Sequence, residues 1–155
     1  MAAETFVFNI AKGRGVEFQN RVDSNDPAAS TLVLVPLNVG GSQAQGQDFA
    51  DLAAVLADAN FDELTTGSWA RQTLTDAQTA AIVVDNVNNR FALALPAVSW
   101  GSPTAGTVVQ FLLCYDADTG AGTDSNIIPI SAHAVTVIAD STAVTQNAGD
   151  AVRCS

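Results

Sequence analysis

Apolar positions are densest at Val108–Ile130, VVQFLLCYDADTGAGTDSNIIPI. From Val108 to Tyr115 only Gln110 interrupts a run of apolar residues, several of them β-branched or aromatic, and that predicts a strand covered on both faces. Asp116, Asp118, Gly120, Gly122 and Asp124 follow, residues that bond their own backbone or tolerate positive φ, so the chain must turn before a second apolar strand.

Upstream, Phe6, Phe8 and Ile10 alternate with Val7 and Asn9, the period of a short strand or extended arm, until Gly13 and Gly15 break it. Val16, Phe18, Asn20 and Val22 alternate with Glu17, Gln19 and Arg21, which predicts a half-exposed antiparallel strand. Ser24-Asn25-Asp26-Pro27 reads as a turn. Thr31–Leu37 is another strand, with Pro36 marking an edge or an end because it cannot donate to a ladder.

A polar connection, Gly40–Gln47, leads to the one strong helical signal. Asp48 can cap it, Phe49, Leu52, Ala53, Val55, Leu56 and Ala59 share a face, Asp51 sits in the first turn, and Asn60 is the stop. Gly67–Leu74 predicts a strand with Trp69, Arg71 and Thr73 on one side, where Arg71 can stack or pair with an acid. Ile82-Val83-Val84 is apolar but short. Phe91, Leu93 and Leu95 alternate until Pro96, Val98 and Trp100 continue the period, and Ala134–Ala139 predicts a last short strand. The pattern predicts a mainly-β chain, an antiparallel sandwich or barrel-like domain of about seven to eight strands with one short helix. With no internal repeat and no linker, residues 1–155 read as a single domain, with 1–12 as a candidate arm.

Composition narrows the functional classes. Charged residues are 14% of the chain and apolar ones 48%, which fits equally a surface partly committed to partner subunits and a compact monomer with a bland surface. The net charge of -10 excludes a broad basic face for nucleic acid. Three of the six basic residues, Lys12, Arg14 and Arg21, nonetheless fall close together and are candidates to meet an acidic partner, or simply a solvated segment. No apolar run is long enough to span a bilayer and the start carries no signal-peptide core, so the expectation is a chain made in a cytosol without membrane association. Cys114 in the apolar run and Cys154 near the end leave two states open, a buried thiol with a free tail thiol, or a disulfide returning the tail to the sheet.

Candidate chemistry is sparse. The only imidazole is His133, whose neighbours lack a nucleophile-elbow pattern, so it reads as a structural or interface histidine and no catalytic residue is expected. One His and two distant Cys do not fit a zinc site. Asp116, Asp118 and Asp124 could surround a hard cation, but Gly120 stands at the fifth position and Ile127 where an EF-hand needs its Glu. The loop therefore reads as a tight Asx-rich turn, a candidate subunit-contact loop, with neither metal nor cofactor expected.

Several segments together resemble a family of small structural proteins of tailed bacteriophages. They are Asn9-Ile-Ala-Lys-Gly, Asn20-Arg-Val, Ser24-Asn-Asp-Pro-Ala, Asp51-Leu-Ala-Ala-Val-Leu-Ala, Trp69-Ala-Arg71, Asp85–Arg90, Trp100 and, above all, LLCYDADTGAGTDSNIIPI. Family members often carry Tyr at the position of Trp69 and a His pair followed by an acid near Ala132-His133-Ala134; this chain departs from both. The resemblance implies a virion component without enzymatic activity, made in the host bacterial cytoplasm. An acidic, charge-poor, β-rich subunit suits a capsid cement or decoration protein, a homo-oligomer with a trimer favoured, seated on the major capsid protein. Phe6, Phe8 and Ile10, with Lys12, Arg14 and Arg21, would then be an arm adding to a partner's sheet edge. The alternative is a tail- or fibre-associated protein binding host glycans, with Trp69 and Trp100 as the aromatic contacts.

Overall fold

In the computed structural model, which describes residues 2–79, 83–88, 90–120, 122–147 and 149–154, the apolar run at Val108 is the middle of a six-stranded sheet. The chain begins with a two-residue strand, β1 (Phe6–Val7), and a 3₁₀ turn at Asn9–Ala11. Helix α1 (Gly15–Asp23) comes next, where alternation predicts a strand. Its buried positions are Gly15, Phe18, Gln19 and Val22, the i, i+3, i+4, i+7 spacing of one helix face, while Val16 is exposed. Glu17 accepts from Arg14 at 3.0 Å and from Arg21 at 3.0 Å, the i,i+3 and i,i+4 pairs that a helix brings together.

The Ser24–Pro27 turn contains a cis Asp26–Pro27 bond, with Asn25 at φ 51. Strand β2 (Thr31–Val39) then runs through the sheet interior. The Gly40–Gln47 connection contains a short helix, α2 (Gln43–Gly46), closed by a capping box between Ser42 and Gln45. Helix α3 (Leu52–Ala57) is shorter than the pattern suggests. Its N-cap is Asp51, not Asp48, because the Asp51 carboxylate accepts from the Ala54 amide at 2.8 Å. The expected single helix is thus one of three α-helices among the described residues.

Short strands β3 (Asp62–Glu63) and β4 (Gln72–Leu74) flank β2, so only the last three residues of the expected Gly67–Leu74 strand are strand. Strands β5 (Val83–Asp85) and β6 (Arg90–Leu95) follow; Ile82 and Asn89 lie outside the described residues. After β7 (Val98–Ser99) come the two long central strands, β8 (Thr107–Asp116) and β9 (Ile128–Ile138). Strand β9 absorbs most of the segment expected to form a separate strand at Ala134–Ala139. Strands β10 (Thr145–Gln146) and β11 (Gly149–Cys154) end the described chain.

The main sheet runs β1-β9-β8-β2-β3, with β4 also on β2, and its pairings are antiparallel. Smaller sheets, β11-β6-β5 and β10-β7, complete a mainly-β architecture. Apolar residues fill both faces of β2 and β8, which is why neither strand alternates. One face carries Leu32, Leu34, Phe111, Leu113 and Tyr115 against Phe18, Val22, Trp69, Leu74 and Trp100. The other carries Val33, Val35, Leu37, Leu112 and Cys114 against Phe8, Leu52, Val55 and Phe61.

Pro36 lies in an interior strand, contrary to the expectation of an edge or an end, and the pairing explains how. Its carbonyl accepts from the Leu64 amide at 2.9 Å, so its nitrogen faces the same flank. There β4 pairs only Leu32–Leu34 and β3 only Leu37 and Val39. The missing donor falls in the gap between two partner strands, and the ladder to β8 is unbroken. Gln110, the polar interruption in β8, is fully buried and donates to the carbonyls of Glu4 at 2.7 Å and Gly41 at 3.2 Å. It thereby ties the N-terminal segment to the sheet.

Candidate functional site

The Asp/Gly loop after β8 is held by its own carboxylates. Asp116 accepts from the Asp118 amide at 3.0 Å and Asp118 from the Gly120 amide at 2.9 Å, two successive Asx turns. Asp124 leaves this group and faces Arg71. The guanidinium meets Glu63 at 2.6 Å and Asp124 at 2.5 Å, joining β3, the segment before β4 and the end of the loop. Hydrogen bonding to Arg71 holds the Asp124 carboxyl below its usual range, and hydrogen bonding to Glu63, then to Asp124, pushes the guanidinium up. The three aspartates therefore do not converge, and among the described residues no group of three or more His, Cys, Asp or Glu is arranged to hold a metal.

Trp69 and Trp100 are core residues, a correction to their expected role as surface contacts. They are 3% and 6% exposed, their rings lie 5.7 Å apart, and Trp100 stacks on Phe111 at 4.9 Å. Both indole N–H groups are satisfied inside, Trp69 donating to Ala105 O at 3.1 Å and Trp100 to Ala70 O at 2.8 Å. A sugar ring has no face to stack on there.

The N-terminal segment is likewise no free arm. Phe6 pairs with Ala132 and Val7 with Ser131 of the same chain, the Phe8 amide donates to Ile130 O at 3.0 Å, and Phe6 and Phe8 are buried. Ile10 packs partly buried against the same core. Among the early cations, Arg14 and Arg21 share Glu17, Arg14 also lies 4.6 Å above the Phe18 ring, and Lys12 donates to Asn9 at 2.5 Å. These are local helix-entry contacts, in which two arginines with exposed side chains share one carboxylate. Cys114 is a buried free thiol, pushed up by burial; the side chain of Cys154 lies outside the described residues.

What the residue patterns missed lies at β9. Ser131 and His133, two apart and so on one side of the strand, share a hydrogen bond of 2.8 Å at Nε2. Ser131 is only 1% exposed and burial lowers the imidazole pKa, so the hydroxyl is not an accessible nucleophile, and among the described residues no carboxylate is hydrogen-bonded to the ring. His133 instead lines a cleft of about 280 Å³ between the main sheet and the smaller strands. Leu34, Phe111 and Val135 form its main-sheet wall, and Leu95, Gln146 and Asn147 stand opposite. Beside the cleft, β1 covers β9 only at Ser131 and Ala132, and Thr5 Oγ1 accepts the Ala134 amide at 3.0 Å. Beyond that point, Val137 and Ile138 pair with β8 after a register shift at Val135–Thr136, and nothing pairs with Val135–Ile138 on the other side among the described residues. Period-two spacing made this strand readable, but pairing partners are not encoded locally.

No family model, curated protein or solved structure matches the chain. No helix among the described residues is long and apolar enough to cross a membrane.

Proposed function

We propose that the chain is a non-enzymatic structural protein of a tailed-phage virion, a capsid cement or decoration protein that binds the outer shell as an oligomer and stabilises it. The observation that carries this reading is that segments resembling the phage family meet in space. Trp69-Ala-Arg71 and the loop of LLCYDADTGAGTDSNIIPI are joined by the Arg71–Asp124 pair, and Trp69 packs on Trp100. The Asp51-capped helix packs against the opposite face of the same sheet. Segments far apart in sequence thus form one framework, as a shared fold would require. The low charge and net charge of -10 suit a subunit that adds stability through buried interface.

The test is to mix purified protein with expanded capsids and locate it by cryo-electron microscopy. Many copies over the shell, as trimers on the major capsid protein with a raised shell melting temperature, are the expected result. A few copies at one vertex would overturn it in favour of a tail component.

A further inference from the structure

Strand β9 ends in a stretch that other proteins take care to protect. From Ala134 to Ala139 the sequence is AVTVIA, with no charge and no proline to blunt the sheet edge, and only the register shift at Val135–Thr136 interrupts it. Ile138 is 67% exposed, and Ala134 and Thr136 are exposed beside it. The residues just before this stretch line the cleft of about 280 Å³, so edge and cleft are one continuous surface. A dry cavity of about 150 Å³ is enough for benzene, so this one has room for a large apolar side chain.

Charge selects the occupant. The segment is flanked by two exposed carboxylates, Glu4 next to Thr5 at its start, which accepts from the Gln43 amide, and Asp140 just past its end, which accepts from Thr142; both keep their charge while so bonded. The described cationic side chains are engaged elsewhere, Lys12 with Asn9, Arg14 and Arg21 with Glu17, and Arg71 with Glu63 and Asp124. A second copy pairing at this edge would set Glu4 and Asp140 against their like-charged equivalents. We infer that the outer edge of β9 at Val135–Ile138 takes an extended segment of a partner protein as an added strand, one with an uncharged β-branched centre, a bulky apolar residue for the His133 cleft, and basic flanks. Main-chain hydrogen bonds supply the pairing, the cleft supplies register, and Glu4 and Asp140 read the flanking charges. This goes beyond the shell-binding proposal and does not need it, since the isolated protein suffices to test it.

The probe is the peptide acetyl-KTVFVTK-amide, titrated into the full chain at low salt and followed by amide NMR and hydrogen exchange. Saturable shifts at His133 and Thr136–Ile138, with slowed exchange there, are expected. The acidic counterpart acetyl-ETVFVTE-amide and the anchorless acetyl-KTVGVTK-amide should each bind at least tenfold more weakly. Ile138→Lys, at an exposed position, should lose the basic peptide at least tenfold with unchanged melting temperature. Equal binding by Ile138→Lys, or shifts away from β9, would overturn the inference. So would a dimer in sedimentation that Ile138→Lys dissolves, which would assign the edge to a second copy.

Discussion

Gly67 sits at a close approach of two backbone segments. Its φ is +66°, and a Cβ there would meet the Ala105 carbonyl oxygen at 2.3 Å, while its own carbonyl accepts the Thr104 amide at 2.9 Å. Trp69 donates to that same Ala105 oxygen, so the turn and the indole are positioned together. Gly67→Ala combines backbone strain with a rigid clash and should cost more than about 2 kcal/mol, read as the shift of the urea midpoint. Arg71 invites a second comparison. Asp124→Asn removes one partly exposed carboxylate and should cost about 0.5–1 kcal/mol. Arg71→Met also leaves the better-buried Glu63 unpaired and should cost about 1–3 kcal/mol, so the two variants should differ in denaturation midpoint in that order. Of these roles only the partner type of Arg71 was legible in the sequence. Which acids answer it depends on strands brought together from afar.

Among the elements, α1 shows how two periods can coincide. Val16, Phe18, Asn20 and Val22 alternate, yet Phe18 and Val22 are also i,i+4, and the short segment satisfies both templates. The Arg14–Glu17–Arg21 spacing was the readable tie-breaker, since a strand would put Arg14 and Glu17 on opposite faces and hold Glu17 and Arg21 about 13 Å apart along one face. The helix separates what a strand would equate. Val16→Lys should change stability by less than about 0.5 kcal/mol, whereas Phe18→Ala should cost about 3–5 kcal/mol, because Phe18 stacks on Tyr115 at 4.9 Å in the core. Equal costs by chemical denaturation would refute the helical face. Strands β8 and β2 were legible because both of their faces are apolar, and α3 because its apolar face and a nearby Asp cap were both visible. Its start moved by three residues since Asp48 and Asp51 are equally good caps by type, and only the Ala54 amide chooses between them.

Across the whole molecule, acid should act in two stages. Burial holds the His133 pKa below its ordinary value of about 6.5, so the folded chain favours the neutral ring. That contribution is intact above about pH 6.5 and is lost as pH falls through the lower folded value. Asp124 is held low by Arg71, so its contribution is intact above the ordinary carboxylate value, about 3.9, and is lost only in stronger acid. Melting temperature against pH should decline first below neutrality, a step that His133→Gln removes, and again below about pH 4, a step that Asp124→Asn weakens. The mainly-β class was legible from strand periods and turn residues. The fate of Trp69, Trp100 and the N-terminal segment was not, because a sequence marks a residue as apolar without saying whether its cover comes from the same chain. That last distinction bears on the order of events at the ribosome. Strand β1 leaves the ribosome well before its partner residues Ser131 and Ala132, which lie far downstream in the chain. Until then Phe6 and Phe8 have no sheet to join, so the nascent chain carries this hydrophobic strand uncovered while all the intervening residues are made, and closing the sheet over it is a late, long-range step.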